Sequence, residues 1–364
     1  MNTDHRLFFN DSRAMGNLAD QSIDLAVTSP PYPMIEMWDG IFSRLDQGIG
    51  RNLQDARGWD AYERMHAVLD CVWKELCRVL KPGGFACINI GDAVRKIGDS
   101  FFLYPNHSRI IQAFVQNGFS PLPAIIWRKQ TNAPNKFMGS GMLPAGAYVT
   151  LEHEYILIFR KGGKREFSTP QERLNRHHSA IFWEERNQWY SDVWFDLKGA
   201  RQQLVDEKVR RRSGAYPFEL PYRLINMYSV MGDTVLDPFA GICTTMFAAM
   251  AACRNSIMME IESDFLPAVT EKSREIADFS NRIINGRIRR HLDFVKERED
   301  SGRPLKHVNE HYGFAVMTRQ ETSLRIYPVS RVRSPEKTCF AVDYGDAAVP
   351  ETPVQQSLFE NEGK

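Results

Sequence analysis

A short apolar run at residues 23–28 leads directly into the tetrapeptide Ser29-Pro30-Pro31-Tyr32. The run is partly β-branched, which is typical of a strand buried in a parallel sheet. The paired prolines fix φ and remove two N–H donors, so the loop after the strand offers carbonyl acceptors on a stiff backbone. Open α/β sheets bind ligands at the carboxyl ends of their strands, so the tetrapeptide lies at a candidate ligand site. Taken alone, it is equally consistent with an ordinary proline turn.

A second strand-and-turn motif occupies residues 235–245. Its apolar strand ends at Asp237 and turns through Pro238-Phe239-Ala240-Gly241 before a helix that begins near Thr244. Small residues in such a turn let a nucleoside-bearing ligand approach the backbone at a helix start. The next predicted strand ends at Glu260, roughly 20 residues after the glycine turn, where an acidic side chain can bind ribose hydroxyls. Together the two features predict a nucleoside site.

Other segments alternate between strand and helix, which indicates an α/β sheet. Apolar residues at helical spacing between Met65 and Leu80 predict a helix that stops at the turn formed by residues 81–84. A long helix is predicted from Leu266 to about Arg298, with Arg287, Arg289 and Arg290 forming a basic face. Further strands are predicted at Arg6–Phe9, Phe85–Ile90, Ala124–Trp127 and Tyr155–Phe159.

Charge is balanced over the whole chain but not locally. The 364 residues include 46 basic and 45 acidic residues, so a nucleic-acid surface has to be a local patch. Residues 160–212 carry thirteen Arg or Lys against eight Asp or Glu, and seven aromatic side chains lie among them. Basic groups contact phosphates, and Arg, Asn and Gln bond base edges, so this segment is the candidate nucleic-acid reader. The alternative is a solvated surface insertion with a small core of its own.

The six cysteines show no C-x-x-C spacing and no metal site is predicted. Three of them lie inside apolar runs, which indicates buried thiols in a reducing compartment. The first residues lack the basic and apolar regions of a signal peptide, and no segment approaches the length of a membrane span. We therefore expect a cytoplasmic protein without a membrane partner.

The combination of motifs resembles the amino-methylating DNA methyltransferases that use S-adenosylmethionine, in the order of their beta class. Thr28 followed by Ser29-Pro30-Pro31-Tyr32 resembles the catalytic motif of that family in its serine form. In the beta order the catalytic motif precedes the cofactor motif, and the target-recognition region lies between them. Here the basic segment occupies that position, and the resemblance covers roughly residues 6–270.

The resemblance also implies a set of cofactor-binding residues. Residues 237–241 match the loop that binds the methionine end of the cofactor, and Glu260 matches the ribose-binding acid. Asp11 matches the acid that faces the adenine or the cofactor's amine, and residues 215–220 match the segment that encloses the methionine. The cofactor-binding residues implied are Asp11, Thr28, Pro217, Asp237, Phe239, Ala240, Gly241, Thr244 and Glu260. Cys243 departs from the family, which commonly has a second glycine there.

The catalytic residues implied are Ser29, Pro30, Pro31 and Tyr32. Exocyclic base amines are poor nucleophiles, so hydrogen-bond acceptors around the two amine hydrogens promote attack on the methyl sulfonium. We expect Ser29 Oγ and the Pro30 carbonyl to accept these bonds while Tyr32 stacks on a flipped base. A neutral serine hydroxyl does not take up an additional proton at neutral pH, so it cannot act as a general base. Attack by the amine is therefore expected to precede its deprotonation.

The substrate is expected to be the 4-amino group of cytosine in duplex DNA, because the serine form is typical of cytosine and the aspartate form of adenine. Two alternatives remain open, an adenine-N6 methyltransferase of the same class and a nucleic-acid-binding protein with impaired catalysis. A dinucleotide-dependent oxidoreductase shares the glycine turn and the ribose acid but leaves the tetrapeptide at residues 29–32 unexplained.

The expected fold is a Rossmann-like methyltransferase domain with a mixed, mostly parallel sheet in circularly permuted motif order, plus a small recognition insertion and a C-terminal extension. The predicted segments are a catalytic half at 1–160, a target-recognition region at 161–214, a cofactor-binding half at 215–280, an extension at 281–345 and a disordered tail at 346–364. Candidate partners are double-stranded DNA, a separate restriction endonuclease and a second copy of the chain. Residues Gln355–Phe359 also resemble a peptide that docks on the sliding clamp, although an inert tail is the alternative.

Overall fold

A mixed sheet of ten strands forms the centre of the computed structural model, which describes residues 1–129, 138–139, 141–198 and 216–346. The segment with the proposed clamp peptide lies outside these residues. In chain order, the strands of this sheet are β1 (Asn2–Phe9), β2 (Ile23–Thr28), β3 (Leu80–Ile90), β6 (Phe119–Arg128), β9 (His153–Lys161), β10 (Val193–Trp194), β11 (Thr234–Asp237), β12 (Asn255–Glu260), β15 (Val329–Glu336) and β16 (Cys339–Tyr344). Short two-stranded sheets use β4 (Ala93–Ile97) with β5 (Ser100–Tyr104), β7 (Met138–Gly139) with β8 (Ala147–Tyr148), and β13 (His307–Val308) with β14 (Ala315–Val316).

The spatial order of the strands is β10-β6-β9-β3-β2-β11-β12-β1-β16-β15. The five strands from β3 to β1 are parallel, whereas β9 runs antiparallel between β3 and β6. The sheet is therefore mixed and mostly parallel, as the sequence predicted. Because β1, β2, β11 and β12 end at one edge of the sheet, the loops that follow them meet there.

Helices cover both faces of the sheet. They are α1 (Asp39–Leu45), α2 (Gln47–Gln54), α3 (Gly58–Val79), α4 (Asn106–Gln116), α5 (Pro170–His178), α6 (Trp183–Trp189), α7 (Glu219–Tyr228), α8 (Thr244–Ala251) and α9 (Leu266–Asp300). In β2, Ala26 belongs to the apolar cluster of α3, while Leu25 and Val27 belong to that of α7 and α8. Burial on both faces explains why β2 is continuously apolar.

The predicted strands and helices are confirmed, with shifted ends. The helix predicted to end near Leu80 ends at Val79, and β3 begins at Leu80 rather than at Phe85. Pairing between β2 and β3 is irregular between Ile23 and Leu25, so the turn predicted at residues 81–84 is a distortion within a strand.

The basic face predicted for α9 is wrong for Arg287. Its side chain is buried and binds both carboxylate oxygens of Glu185 in α6, at 2.6 and 2.7 Å, and the hydroxyl of Tyr222 in α7. Helical rotation explains the difference, since Arg289 and Arg290 lie on the exposed side of the same helix. Arg287 therefore contributes packing between helices rather than a free positive charge.

The described part of the basic segment divides between two edges of the sheet. Arg165 binds Asp233, which precedes β11, and Asn175 donates to the Met231 carbonyl at 2.7 Å. Residues 165–178 thus contact the loop at the amino ends of the strands, opposite the tetrapeptide. Three of the seven aromatic side chains are core residues with at most 4% exposure, namely Phe182, Trp189 and Trp194. These three side chains are therefore unavailable for contacts with DNA, and the role of residues 161–214 in target recognition stays a prediction.

The C-terminal strands extend the central sheet. β16 pairs antiparallel with β1, and β15 pairs with β16. The Tyr344 hydroxyl donates to the Met250 carbonyl at 2.6 Å, which joins β16 to the end of α8. Within the ranges that the structure describes, no helix has both the length and the apolar character needed to cross a bilayer.

Candidate active site

A cleft of about 370 Å³ opens where β1, β2, β11 and β12 end. Residues from both predicted motifs line it, although about 200 residues separate the motifs in the sequence. The predicted site residues that line it are Asp11, Ser29, Pro30, Pro31, Tyr32, Asp237, Phe239, Ala240, Gly241, Thr244 and Glu260. The sheet topology therefore gives one continuous cleft that reaches both motifs.

Two predicted cofactor residues, Thr28 and Pro217, do not line the cleft. Thr28 is fully buried and donates to Asp237 Oδ1 at 2.5 Å, so it supports the cleft from behind. Pro217 is also buried, and its neighbour Tyr216 is the residue of that segment that reaches the cleft.

The tetrapeptide carries a connected set of polar side chains. The Ser29 hydroxyl donates to the Tyr32 hydroxyl at 3.1 Å, and Tyr32 donates to Glu154 Oε2 at 2.9 Å. Asn89, at the end of β3, donates to the Tyr32 hydroxyl at 2.8 Å and to Glu154 Oε2 at 2.7 Å. The Ser29 hydrogen is used within this set, and Asn89 Nδ2 makes a long contact of 3.5 Å with Ser29 Oγ, so one lone pair of that oxygen remains for a ligand in the cleft.

Gly91 fits closely beside the Tyr32 ring. A Cβ atom at this position would lie 3.1 Å from Tyr32 Cε2 and 3.4 Å from Glu154 Cγ. Burial and the nearby Glu154 carboxylate raise the pKa of Tyr32 well above its usual value. The phenol therefore stays protonated at neutral pH and acts as a hydrogen-bond donor to Glu154.

Asp237 organises the second motif. Its Oδ1 accepts from Thr28 and from the Phe239 amide at 3.0 Å, and its Oδ2 accepts from Thr245 at 2.6 Å and Tyr216 at 3.2 Å. Burial raises the pKa of Asp237, while the hydrogen bonds from Thr245 and Thr28 oppose that shift. These donors come from β2, from α8 and from the segment before α7, so the carboxylate joins separate parts of the fold.

Glu260 fixes the glycine turn. Its Oε2 accepts from the Gly241 amide at 2.8 Å, and its Oε1 accepts from the Glu262 amide at 2.9 Å. Burial raises the pKa of the carboxyl group, and these two amides oppose the shift. The Ile261 amide contributes to the same effect, and the carboxylate still lines the cleft, where it can accept from a diol ligand.

Asp11 lies at the cleft beside Arg13. The Arg13 guanidinium binds both carboxylate oxygens. Asp11 Oδ2 accepts from Nε at 2.9 Å and from Nη2 at 2.6 Å, and Asp11 Oδ1 accepts from Nε at 3.1 Å. Burial would raise the pKa of Asp11, but the hydrogen bonds from Arg13 outweigh it and lower the pKa. Asp11 is therefore an anion whose orientation is fixed.

Cys243 is the residue that differs from the family's glycine pattern. It precedes α8 with φ of 61° and ψ of 35°, the left-handed conformation that glycine adopts most easily. Its side chain is fully buried in the cluster with Met246 and Met258. The family's preference for glycine at this position therefore has a backbone cause, and Cys243 is a small residue that tolerates the same conformation.

Sequence reasoning missed four polar residues of the site, namely Asn89, Lys129, Glu154 and Thr245. Asn89 and Glu154 lie near the end of β3 and the beginning of β9, which meet at the catalytic edge because the two strands are antiparallel. Asn89, a polar residue within the apolar strand β3, was the sequence signal that could have located this part of the site. The antiparallel direction of β9, however, is not visible in its sequence.

Comparisons with known proteins agree with the geometry. The DNA methylase family matches residues 23–271. Type II methyltransferase M.MthZI of Methanothermobacter thermautotrophicus is 54% identical over 328 residues, covering 90% of this chain and 91% of that protein. Type II methyltransferase M.MjaI of Methanocaldococcus jannaschii is 47% identical over 299 residues, covering 78% of this chain and 97% of that protein.

One solved structure supports the same assignment. The putative DNA modification methylase TTHA0409 of Thermus thermophilus, determined in complex with S-adenosyl-L-methionine, is 30% identical, with a TM-score of 0.58 and coverage of 75% of this chain and 94% of that one. The chain therefore belongs to the DNA methylase family of S-adenosylmethionine-dependent amino methyltransferases.

Proposed function

We propose that this protein transfers a methyl group from S-adenosylmethionine to the 4-amino group of a cytosine flipped out of duplex DNA. The observation that carries the proposal is Ser29 Oγ, which lines the cleft and donates its hydrogen to Tyr32. The lone pair that the long Asn89 contact leaves on this oxygen suits a hydrogen of an exocyclic amine. Serine in place of aspartate is the feature that favours cytosine over adenine.

The cofactor's adenosyl group is assigned to the half of the cleft formed by residues 237–262. Glu260 would accept hydrogen bonds from the ribose hydroxyls beside those from the Gly241 and Glu262 amides. The glycine turn at Ala240 and Gly241 would allow the cofactor to approach the backbone. Asp11, held by Arg13, would accept from an amine of the cofactor.

DNA would be contacted at the same edge of the sheet. The part of the basic segment beyond α6 is the better candidate for a reader, because β10 lies parallel to β6 and ends at the catalytic edge. Phe195, 65% exposed, follows β10 directly. The type II names of the relatives favour a cognate restriction endonuclease acting on the same site, and a homodimer and clamp binding remain predictions of the sequence.

Nucleoside mass spectrometry tests the proposal. Genomic DNA of mixed sequence, treated with enzyme and cofactor, is expected to yield N4-methylcytosine. Ser29→Ala is expected to lower the rate roughly 10²-fold or more, since a lost transition-state hydrogen bond has an effect of that order. Ser168→Ala, on an exposed loop at the opposite edge, is the matched control and should retain the wild-type rate.

Two results would overturn the assignment. N6-methyladenine as the sole product would replace the cytosine assignment with the adenine alternative. Background incorporation by wild type and Ser29→Ala alike, with retained DNA binding, would favour the nucleic-acid-binding alternative.

A further inference from the structure

A chain of hydrogen bonds leads from the substrate side of the cleft to a carboxylate. Ser29 Oγ donates to Tyr32 at 3.1 Å, Tyr32 donates to Glu154 Oε2 at 2.9 Å, and Lys129 Nζ donates to Glu154 Oε1 at 2.7 Å. Only 12% of the Glu154 side chain is exposed, whereas 47% of Lys129 is. The chain thus runs from the proposed amine acceptor to solvent.

The direction of these bonds follows from the donors around Tyr32. Its hydroxyl oxygen receives hydrogens from Ser29 and from Asn89, so its own hydrogen is directed to Glu154. Asn89 uses its second amide hydrogen on Glu154 Oε2. Asn89 therefore fixes both the donor and the acceptor of the Tyr32–Glu154 bond.

We propose that Glu154 is the proton acceptor of the methyl-transfer reaction, reached from the substrate amine through the hydroxyls of Ser29 and Tyr32. The inference rests on the proposed function at Ser29 and adds a residue to which that function assigns no role. It resolves the fate of the proton, since neither hydroxyl holds an extra proton at neutral pH.

The transfer balances in atoms and charge. The amine lone pair forms the N–CH₃ bond while the S–CH₃ bond breaks, and the sulfonium sulfur keeps the bonding electrons. Positive charge develops on the amine as the N–CH₃ bond forms, and one of its protons starts to pass to Ser29 Oγ within the same step, behind the attack, so the proton acceptor influences the rate. The Ser29 proton passes to the Tyr32 oxygen, and the Tyr32 proton passes to Glu154 Oε2. Both hydroxyls end neutral, and the carboxylate becomes a carboxylic acid.

The charges around the carboxylate suit this role. Among the described residues, the titratable side chains that hydrogen-bond to it are Tyr32, from the loop after β2, and Lys129, which directly follows β6. The raised pKa of Tyr32 keeps the phenol from ionising, so it relays the proton rather than stores an anion. The half-exposed ammonium of Lys129 stabilises the anionic carboxylate between turnovers.

Single-turnover methyl transfer as a function of pH tests the relay. The wild-type rate should fall on acidification, because a protonated Glu154 accepts no proton. Glu154→Gln keeps the shape but removes the acceptor, so a decrease of about 10²-fold and loss of the acid limb are expected. Glu152→Gln is the matched control, since Glu152 lies just before β9, is more exposed, and pairs with Arg128 at 3.3 Å.

Tyr32→Phe provides a second, independent test. It keeps the aromatic ring but interrupts the relay, and it leaves Glu154 bonded to Asn89 and Lys129. Cofactor binding by calorimetry should match wild type in both variants. If Glu154→Gln does not fold, Tyr32→Phe decides the matter, because wild-type rate and pH dependence in that variant would overturn the relay. A folded Glu154→Gln enzyme with the wild-type rate and acid limb would overturn it equally.

The outcomes separate this inference from the proposed function. Wild-type enzyme that methylates adenine would refute the cytosine assignment but leave the relay test intact, since the rate comparison needs only an amine acceptor. Wild-type enzyme that methylates cytosine at the same rate as Glu154→Gln would refute the relay alone.

Discussion

Asp237 shows how single residues unite a site whose motifs are far apart in the chain. Its donors, Thr28, Tyr216, Thr245 and the Phe239 amide, are contributed by both halves of the sequence. A buried carboxylate is tolerated when all its lone pairs are matched by donors. The order of the motifs along the chain then has no effect on the geometry, because the bonds depend on where the strands end and not on which comes first.

Cys243 supports a prediction at the same scale. Its left-handed backbone is costly for a β-branched side chain, and its buried position leaves no room for larger groups. Cys243→Val should lower the free energy of unfolding by about 2 kcal/mol, measured by urea denaturation.

Cys243→Gly is the informative control. Glycine relieves the backbone but removes a buried side chain, so the two effects oppose each other and stability should change by about 1 kcal/mol or less. Calorimetric affinity for the cofactor should stay within a few-fold of wild type. A large loss of affinity in Cys243→Gly would show that the thiol itself serves the site.

At the scale of elements, the loop after β1 is clamped to α3. Glu75 accepts from the Met15 amide at 2.7 Å and from Arg78 Nη2 at 2.7 Å. Arg78 in turn donates to the carbonyls of Met15 and Leu18, both at 2.8 Å. The loop that begins with Asp11 is therefore positioned by charged groups on a helix and not by its own turn residues.

The pKa of Glu75 gives this clamp a pH dependence. The hydrogen bond from Arg78 lowers the pKa of Glu75. A lowered folded-state pKa stabilises the protein above the ordinary value of about 4.3, and the stabilisation is lost as the pH falls through the folded-state pKa. Glu75→Gln should therefore lower the free energy of unfolding by about 1 kcal/mol at pH 7, and the difference from wild type should shrink toward pH 3.

Urea denaturation at several pH values measures this difference. Glu63→Gln on the same helix is the control, because Glu63 is 58% exposed in its pair with Arg109 and should change stability by less than about 0.5 kcal/mol. A Glu75→Gln difference that is constant from pH 7 to pH 3 would contradict the assignment.

The elements also show what sequence could and could not predict. β2 and β12 were predictable because continuous apolar runs mark strands buried on both faces. β15 was not, since it is largely exposed and acquires its structure by pairing at the sheet's edge, whereas β16 was missed although its buried residues alternate. The same limit applied to the site, where motifs located Ser29 and Asp237 but only the antiparallel β9 brings Glu154 to Tyr32. Long-range pairing of this kind leaves no local pattern.

For the molecule as a whole, chemistry lies at one edge of the sheet. The cleft follows the carboxyl ends of β2 and β11, while residues 165–178 contact the loop before β11 at the opposite edge. The function proposed above puts a duplex over the cleft, on the side of the chain after α6 and away from α5. Among the described residues of the basic segment, Arg165 and Arg176 thus lie at the edge opposite the cleft and face away from it.

The C-terminal strands β15 and β16 bear on whether the extension predicted at residues 281–345 can be separated from the rest of the domain. α9 continues from Leu266 to Asp300 across the predicted boundary, and β15 and β16 bury Val329, Phe340, Val342 and Tyr344 against β1 and α8. Each such side chain contributes about 1.5–3 kcal/mol, and their sum approaches the stability of an ordinary domain.

Truncation after Asp300 should therefore abolish cooperative unfolding in circular dichroism. Truncation after Asp346 leaves these strands in place and should retain the wild-type urea midpoint and methyl-transfer rate. Cooperative unfolding of the shorter protein at the wild-type midpoint would show instead that the strands are an independent addition to the sheet.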